Sequence, residues 1–108
     1  MADRSNHFSI DTTSSGSRAQ VAPHGDLDIA TASRLSAALD ALGDRYAAVV
    51  VDLSDVHFMD SAGLTALFLA SRAADRTGVE LTVTGAQGEV ATVMQMTGLD
   101  VVLRLDAI

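Results

Sequence analysis

The segment over residues 49–74 constrains the fold of this chain more than any other; it reads VVVDLSDVHFMDSAGLTALFLASRAA. The wholly apolar run at 47–51 predicts a short strand buried on both faces. After a brief polar turn, an apolar segment of helical length begins near Ser61. A buried strand that leads into a helix is typical of a parallel sheet covered by helices.

Strand and helix patterns alternate along the rest of the chain, and each helical stripe is closed by a glycine. The order β-β-α-β-α-β-α-β predicts a single small α/β domain. Its sheet should be mixed but mostly parallel, and right-handed crossovers should place the helices mainly on one face. The predicted strands are 8–10, 18–24, 47–53, 79–84 and 101–105, and the predicted helices are 32–42, 61–76 and 90–97.

Three local signals refine this pattern. The segment TTSSGS at 12–17 predicts a turn between the first two strands, with Gly16 at positive φ. Pro23 lacks an N–H, so the second strand should end early or leave that position unpaired. Thr31 is the predicted N-cap of the first helix, with Arg34 where a capping-box glutamate would stand.

Composition narrows the class of protein. With 108 residues, 48% of them apolar, we expect one globular domain over 1–108, with only residues 1–6 disordered. The chain has no cysteine, and neither a secretory signal core nor an apolar run of ~20 residues that would span a membrane, so we expect a cytoplasmic protein. The net charge of −7 disfavours direct binding to nucleic acid, because phosphate contacts need clustered positive charge.

Three motifs occur in a specific order and spacing: GDLDIATASRL at 25–35, DLSDVHFMDSAGL at 52–64, and GVELTVTGAQGEVATVMQMTGLDVVL at 78–103. Together they resemble the STAS-domain anti-sigma factor antagonist family of bacteria, over roughly residues 18–105. The resemblance implies the STAS β-α fold and a transcription-regulating, partner-switching protein rather than an enzyme. It also implies that Ser61 is the phosphoacceptor. Ala62 follows where a second hydroxyl is common, which leaves one acceptor.

The resemblance also implies the partners. The unphosphorylated form would bind an anti-sigma factor that is also a serine kinase, and so release a sigma factor in a stress response. Phosphorylation of Ser61 would end that interaction, and a serine phosphatase would restore it. No cofactor or metal is implied.

The candidate partner-binding residues follow two strands of the predicted sheet. Parallel neighbours end at the same edge, so the loops after the second and third strands should meet there. We expect the partner-binding residues at that edge to be Asp28, Asp55, Met59, Asp60, Ser61, Ala62 and Gly63.

Other interpretations remain open. Ser61 can be a plain N-cap, and each aspartate can serve only turns and caps. An esterase nucleophile is disfavoured because Met59 occupies the first glycine position of G-x-S-x-G. A ligand-binding or enzymatic domain is disfavoured because the chain has no phosphate-binding loop and its histidines lack metal-ligand spacing. The main alternative function is a STAS scaffold subunit of a transport or stress-signalling assembly that phosphate does not switch.

Overall fold

The computed structural model describes residues 7–98. The predicted strand at 101–105 and residues 1–6, expected to be disordered, lie outside that range. The elements in chain order are β1 (Ser9–Ser15), β2 (Arg18–His24), α1 (Ala32–Leu42), β3 (Ala48–Asp52), α2 (Ser61–Thr77), β4 (Glu80–Thr84) and α3 (Gly88–Thr97).

The four strands form one mixed sheet in the order β1-β2-β3-β4. β1 and β2 are antiparallel, whereas β3 runs parallel to both of its neighbours. α1 connects β2 to β3 and α2 connects β3 to β4, so each parallel pair has a helical crossover. The predicted fold class, a small α/β domain with a mostly parallel sheet, is confirmed.

The core lies between the sheet and the helices. The side chains of β3 are buried at its centre, where Val49, Val50 and Val51 are 4%, 7% and 0% exposed. β4 instead alternates buried and more exposed residues, as its sequence predicts. Leu35 of α1 and Leu67 of α2 are fully buried in the same apolar cluster. Each such leucine stabilises the fold by roughly 1.5–3 kcal/mol.

The hairpin between β1 and β2 is tighter than predicted. The turn expected over 12–17 consists only of Gly16 and Ser17, because β1 continues to Ser15 and pairs there with Arg18. Gly16 has φ 60°, which permits a two-residue connection. The threonines before it favour strand because their branched side chains suit a pleated surface. The prediction that the whole stretch 12–17 forms the turn is therefore wrong.

Pro23 stays within β2, opposite Ile10 of β1. The pairing of β2 with β3 ends at Val21, two residues earlier. The missing N–H of the proline therefore costs no ladder bond to β3. The pairing of β2 therefore ends early only on the side of β3, as it continues to His24 on the side of β1.

α1 begins after Thr31 as predicted, but the threonine side chain does not cap it. Its backbone is already in the right-handed helical region, at φ −114° and ψ −18°, instead of the extended region typical of an N-cap. Its hydroxyl donates to the Asp26 carbonyl at 2.6 Å and accepts from the Asp28 amide at 3.0 Å. The Asp28 carboxylate in turn accepts from the amides of Ala30 and Thr31. Asp28 therefore supplies the side-chain acceptor for the turn that precedes α1.

Candidate functional site

Two loops meet where the parallel strands β2 and β3 end. The first loop, residues 25–31, connects β2 to α1, and the second loop, residues 53–60, connects β3 to α2. An isolated parallel bridge pairs Leu27 with Met59, which confirms that the two loops lie side by side.

Main-chain hydrogen bonds hold the two loops together, so their relative position depends first on the backbone. They run from the Gly25 amide to the Asp55 carbonyl (3.1 Å), from the Leu27 amide to the Phe58 carbonyl (3.0 Å), and from the Asp60 amide to the Leu27 carbonyl (3.1 Å).

The second loop is also held on its other flank, by the end of β4 and the segment that follows it. The Leu53 amide donates to the Thr84 carbonyl at 2.8 Å. The Gln87 side-chain amide donates to the Ser54 carbonyl at 3.0 Å. The loop that leads to Ser61 is thus fixed between both neighbouring strands.

Asp60, rather than Ser61, caps α2. Its carboxylate accepts from the amides of Ala62 at 2.8 Å and Gly63 at 3.3 Å, and its carbonyl accepts from Leu64 at 3.1 Å. Ser61 is the first helical residue and is exposed. Within residues 7–98 its hydroxyl makes no hydrogen bond. The interpretation of Ser61 as an N-cap is therefore wrong, and its hydroxyl is accessible.

Gly63 lets α2 approach the first loop closely. A Cβ built at this position would lie 2.8 Å from Met59 Cγ and 2.9 Å from the Leu27 carbonyl oxygen. Because the second contact is with backbone, a side chain here would displace the loop or the helix. Close packing against the first loop therefore accounts for a glycine at this position.

The seven candidate partner-binding residues lie at this end of the sheet, but not all reach the surface. Asp28, Asp60 and Ala62 are partly exposed, Asp55 and Ser61 are exposed, and Met59 and Gly63 are buried. The two buried residues can support a binding surface only from beneath it.

His24, at the end of β2, has contacts that the sequence did not reveal. Its Nδ1 lies 2.7 Å from a carboxylate oxygen of Asp55, and its Nε2 lies 2.9 Å from Asp11 on β1. These hydrogen bonds, that with Asp55 above all, raise the pKa of His24 above its ordinary value. The hydrogen bond from His24 lowers the pKa of Asp55. The feature that could have revealed the contact with Asp11 is the register of the hairpin, which places Asp11 opposite Ala22 and thus diagonal to His24.

Two exposed apolar side chains at this edge were not predicted from the sequence. Ile29 in the first loop is 85% exposed, and Phe58 in the second loop is 39% exposed. The same two loops also carry Leu27, Val56 and Met59, which are buried in the core, so the sequence alone did not show which apolar loop residues would be exposed.

Two arginines that could in principle pair with a phosphate on Ser61, Arg34 and Arg72, each lie over an aromatic ring. The guanidinium of Arg34 lies 5.1 Å from the ring centroid of Phe8, and that of Arg72 lies 5.8 Å from Phe68. At a rise of about 1.5 Å per residue, Arg72 is also about 16 Å along α2 from Ser61.

Ser61 does not line the cavity at the opposite end of the sheet. That cavity, of about 310 Å³, lies between α1, α2 and the starts of β3 and β4, and is lined mainly by leucine, alanine, valine and glycine with Asp40 and Asp44. Among residues 7–98, no cluster of three or more His, Cys, Asp or Glu side chains is arranged to bind a metal ion. None of the helices in the same range is long and apolar enough to cross a membrane.

Comparison with known proteins identifies a domain family that this chain matches. The family model described as Mlab, STAS domain matches residues 10–105. The crystal structure of an anti-sigma factor antagonist from Mycobacterium paratuberculosis is 25% identical, with a TM-score of 0.80, and the match covers 94% of this chain and 86% of that chain.

Two less similar structures share the fold. SpoIIAA, a Bacillus cell fate determinant in its phosphorylated form, is 15% identical with a TM-score of 0.70, over 93% of this chain and 91% of that chain. A sulfate transporter family protein from Wolinella succinogenes is 19% identical with a TM-score of 0.71, over 80% of this chain and 73% of that chain.

Proposed function

The chain belongs to the STAS-domain family, and from that premise we propose that it is an anti-sigma factor antagonist switched by phosphorylation of Ser61. The unphosphorylated form binds an anti-sigma factor that is also a serine kinase, and a sigma factor is released. The kinase phosphorylates Ser61 and the complex dissociates. A serine phosphatase then restores the binding form. The chain itself acts as a binding protein in the cytoplasm.

The observation that carries this proposal is the position of Ser61. Its exposed hydroxyl projects from the first residue of α2, and the Asp60 cap leaves it without a hydrogen bond to any residue in 7–98. A kinase can therefore reach it without unfolding the helix. The similarity to an anti-sigma factor antagonist and to a protein of this fold whose phosphorylated form is known supports the same function.

The switch acts through the interface instead of through refolding. A phosphate on Ser61 adds about −1.5 to −2 charges. The amides of Ala62, Gly63 and Leu64 already bond to Asp60, and Arg72 is too distant to pair with the phosphate. The phosphate therefore stays in solvent unless a partner desolvates it, and that desolvation opposes binding. About 4 kcal/mol at the interface weakens binding roughly a thousandfold.

The binding surface combines apolar and acidic groups. Ile29 and Phe58 offer apolar area on the two joined loops, and Asp28, Asp55 and Asp60 bring negative charge to the same edge. Such a surface suits a partner with an apolar pocket surrounded by basic residues. Met59 and Gly63 shape it from beneath.

Capture from native cell extract tests the proposal. The wild type, Ser61→Asp and Thr65→Ala serve as baits, because Thr65 is another exposed hydroxyl residue of α2. We expect wild type and Thr65→Ala to retain a kinase-like partner that Ser61→Asp loses. Mass spectrometry after incubation with that partner and ATP should find phosphate on wild type and Thr65→Ala only at Ser61. Equal phosphorylation of a Ser61→Ala variant would overturn the proposal.

The similarity to a sulfate transporter family protein favours one second candidate, a scaffold subunit of a transport assembly. In that case wild type and Ser61→Asp would retain the same membrane-transport proteins. The same capture experiment therefore separates the two functions.

A further inference from the structure

We propose that His24 is a positioning residue, which bridges β1 and the second loop, ahead of Ser61, only while both of its ring nitrogens carry protons. The effect on the loop is a property of this chain alone. The effect on partner binding rests on the proposed function.

The geometry around the imidazole requires two donors. Nδ1 lies 2.7 Å from Asp55 and Nε2 lies 2.9 Å from Asp11, and both contacts are to carboxylate oxygens. An ionised carboxylate can only accept hydrogen bonds, whereas neutral imidazole donates through one nitrogen and carries a lone pair on the other. Neutral His24 can therefore keep only one of the two contacts, and its bare nitrogen repels the other carboxylate.

The contact reaches the site through the main chain. Gly25, the residue after His24, donates its amide to the carbonyl of Asp55 at 3.1 Å. The side-chain contact and this main-chain bond thus connect the same two segments. From Asp55 the second loop runs on to Asp60, which caps α2 beside Ser61. Loss of either His24 contact breaks the bridge from β1 to Asp55, so the start of the second loop is less restrained.

The charges that face His24 all favour its protonated form. They are Asp11 of β1 and Asp55 of the second loop, and the remaining oxygen of Asp55 lies 3.5 Å from Nε2 of His57. His24 itself is 33% exposed, so solvent can exchange its proton.

The pKa shifts define the pH range of the contact. Hydrogen bonds with Asp55 and then Asp11 raise the pKa of His24 above its ordinary 6.5, so the contribution is complete below pH 6.5 and is lost as pH rises through the raised pKa. The hydrogen bond from His24 lowers the pKa of Asp55 below its ordinary 3.8, so that carboxylate contributes above pH 3.8 and fails as pH falls through the lowered pKa. Between pH 3.8 and pH 6.5 the contact between His24 and Asp55 is therefore complete.

Amide hydrogen exchange on the full chain tests the proposal without any partner. Protection factors, corrected for intrinsic exchange, are compared at about pH 6 and about pH 8.5, on either side of histidine titration. We expect protection of the Gly25 amide to fall about threefold or more at the higher pH. The Leu53 amide is the matched control, because it belongs to the same loop but bonds to Thr84. An unchanged ratio of Gly25 to Leu53 protection would overturn the proposal.

Substitutions separate the proton from the contact. His57→Gln, which changes only the longer, 3.5 Å contact of Asp55, should keep the pH response. Asp11→Asn and His24→Gln should each remove it, and Asp11→Asn tests the point even if His24→Gln does not fold. A full response in Asp11→Asn would contradict the two-carboxylate account.

Partner capture at the same two pH values separates this inference from the proposed function. A pH-dependent loop without any captured kinase would leave the His24 proposal standing and refute the partner. Capture of a kinase without a change in Gly25 protection would support the proposed function and overturn the His24 proposal.

Discussion

At the scale of single residues, Gly63 has a tightly constrained environment two positions from Ser61. Glycine within a helix is ordinarily less stable than alanine by about 0.5–1 kcal/mol, because the unfolded chain is freer. Here the sign should reverse, because an added Cβ would lie 2.9 Å from a backbone oxygen of the first loop and 2.8 Å from Met59.

We therefore predict that Gly63→Ala destabilises the protein by about 1–3 kcal/mol, the usual cost of overpacking. Urea unfolding followed by circular dichroism measures the change. Amide shifts in the first loop should move as well, because Leu27 is the group displaced. A variant as stable as wild type, or more stable, would show that the loop yields without strain.

At the scale of secondary-structure elements, the cap of α2 determines what phosphorylation can do. Asp60 satisfies the first-turn amides, so the helix does not depend on Ser61. We predict that phosphorylation changes amide chemical shifts near residues 26–31 and 57–66 and leaves the rest of the spectrum in place. NMR of the phosphorylated chain provides the measurement, with Ser61→Ala treated in parallel as the control. Loss of dispersion throughout the spectrum would mean that the phosphate unfolds the domain.

The elements also show which features a sequence determines locally. The observed ends of α1 and α2 lie within a residue of those predicted, because glycines stop both helices and a regular apolar stripe marks their length. The meeting of the two loops was predictable because parallel strands end together. The contacts of His24 were not predictable, since they depend on the register of the hairpin and on Asp11 and Asp55, which lie 13 and 31 positions from His24 in the chain. The choice of Asp60 over Ser61 as cap was not predictable either, because both residue types suit that position.

At the scale of the whole molecule, the most pronounced property is the excess of acidic over basic residues. The chain carries 14 acidic and 7 basic residues, for a net charge of −7. Self-repulsion of this kind destabilises a compact state, and dissolved salt screens it. We predict that sodium chloride raises the melting temperature at about pH 7.5. Near the calculated isoelectric point of 4.5, where net repulsion vanishes, the same salt series should have little effect. A melting temperature independent of salt at neutral pH would show that the acidic groups are too dispersed to repel.

The backbone bonds between the two loops have a consequence for divergence among related proteins. Each uses an amide and a carbonyl, which every residue except proline supplies. Substitutions at exposed positions such as Ile29 and Phe58 can therefore accumulate without moving the serine. Under the proposed function, duplicated copies of such a chain could bind different kinases in one cell while sharing one geometry at Ser61. Insulation between parallel signalling pathways would then evolve through a few loop side chains, with the domain itself unchanged.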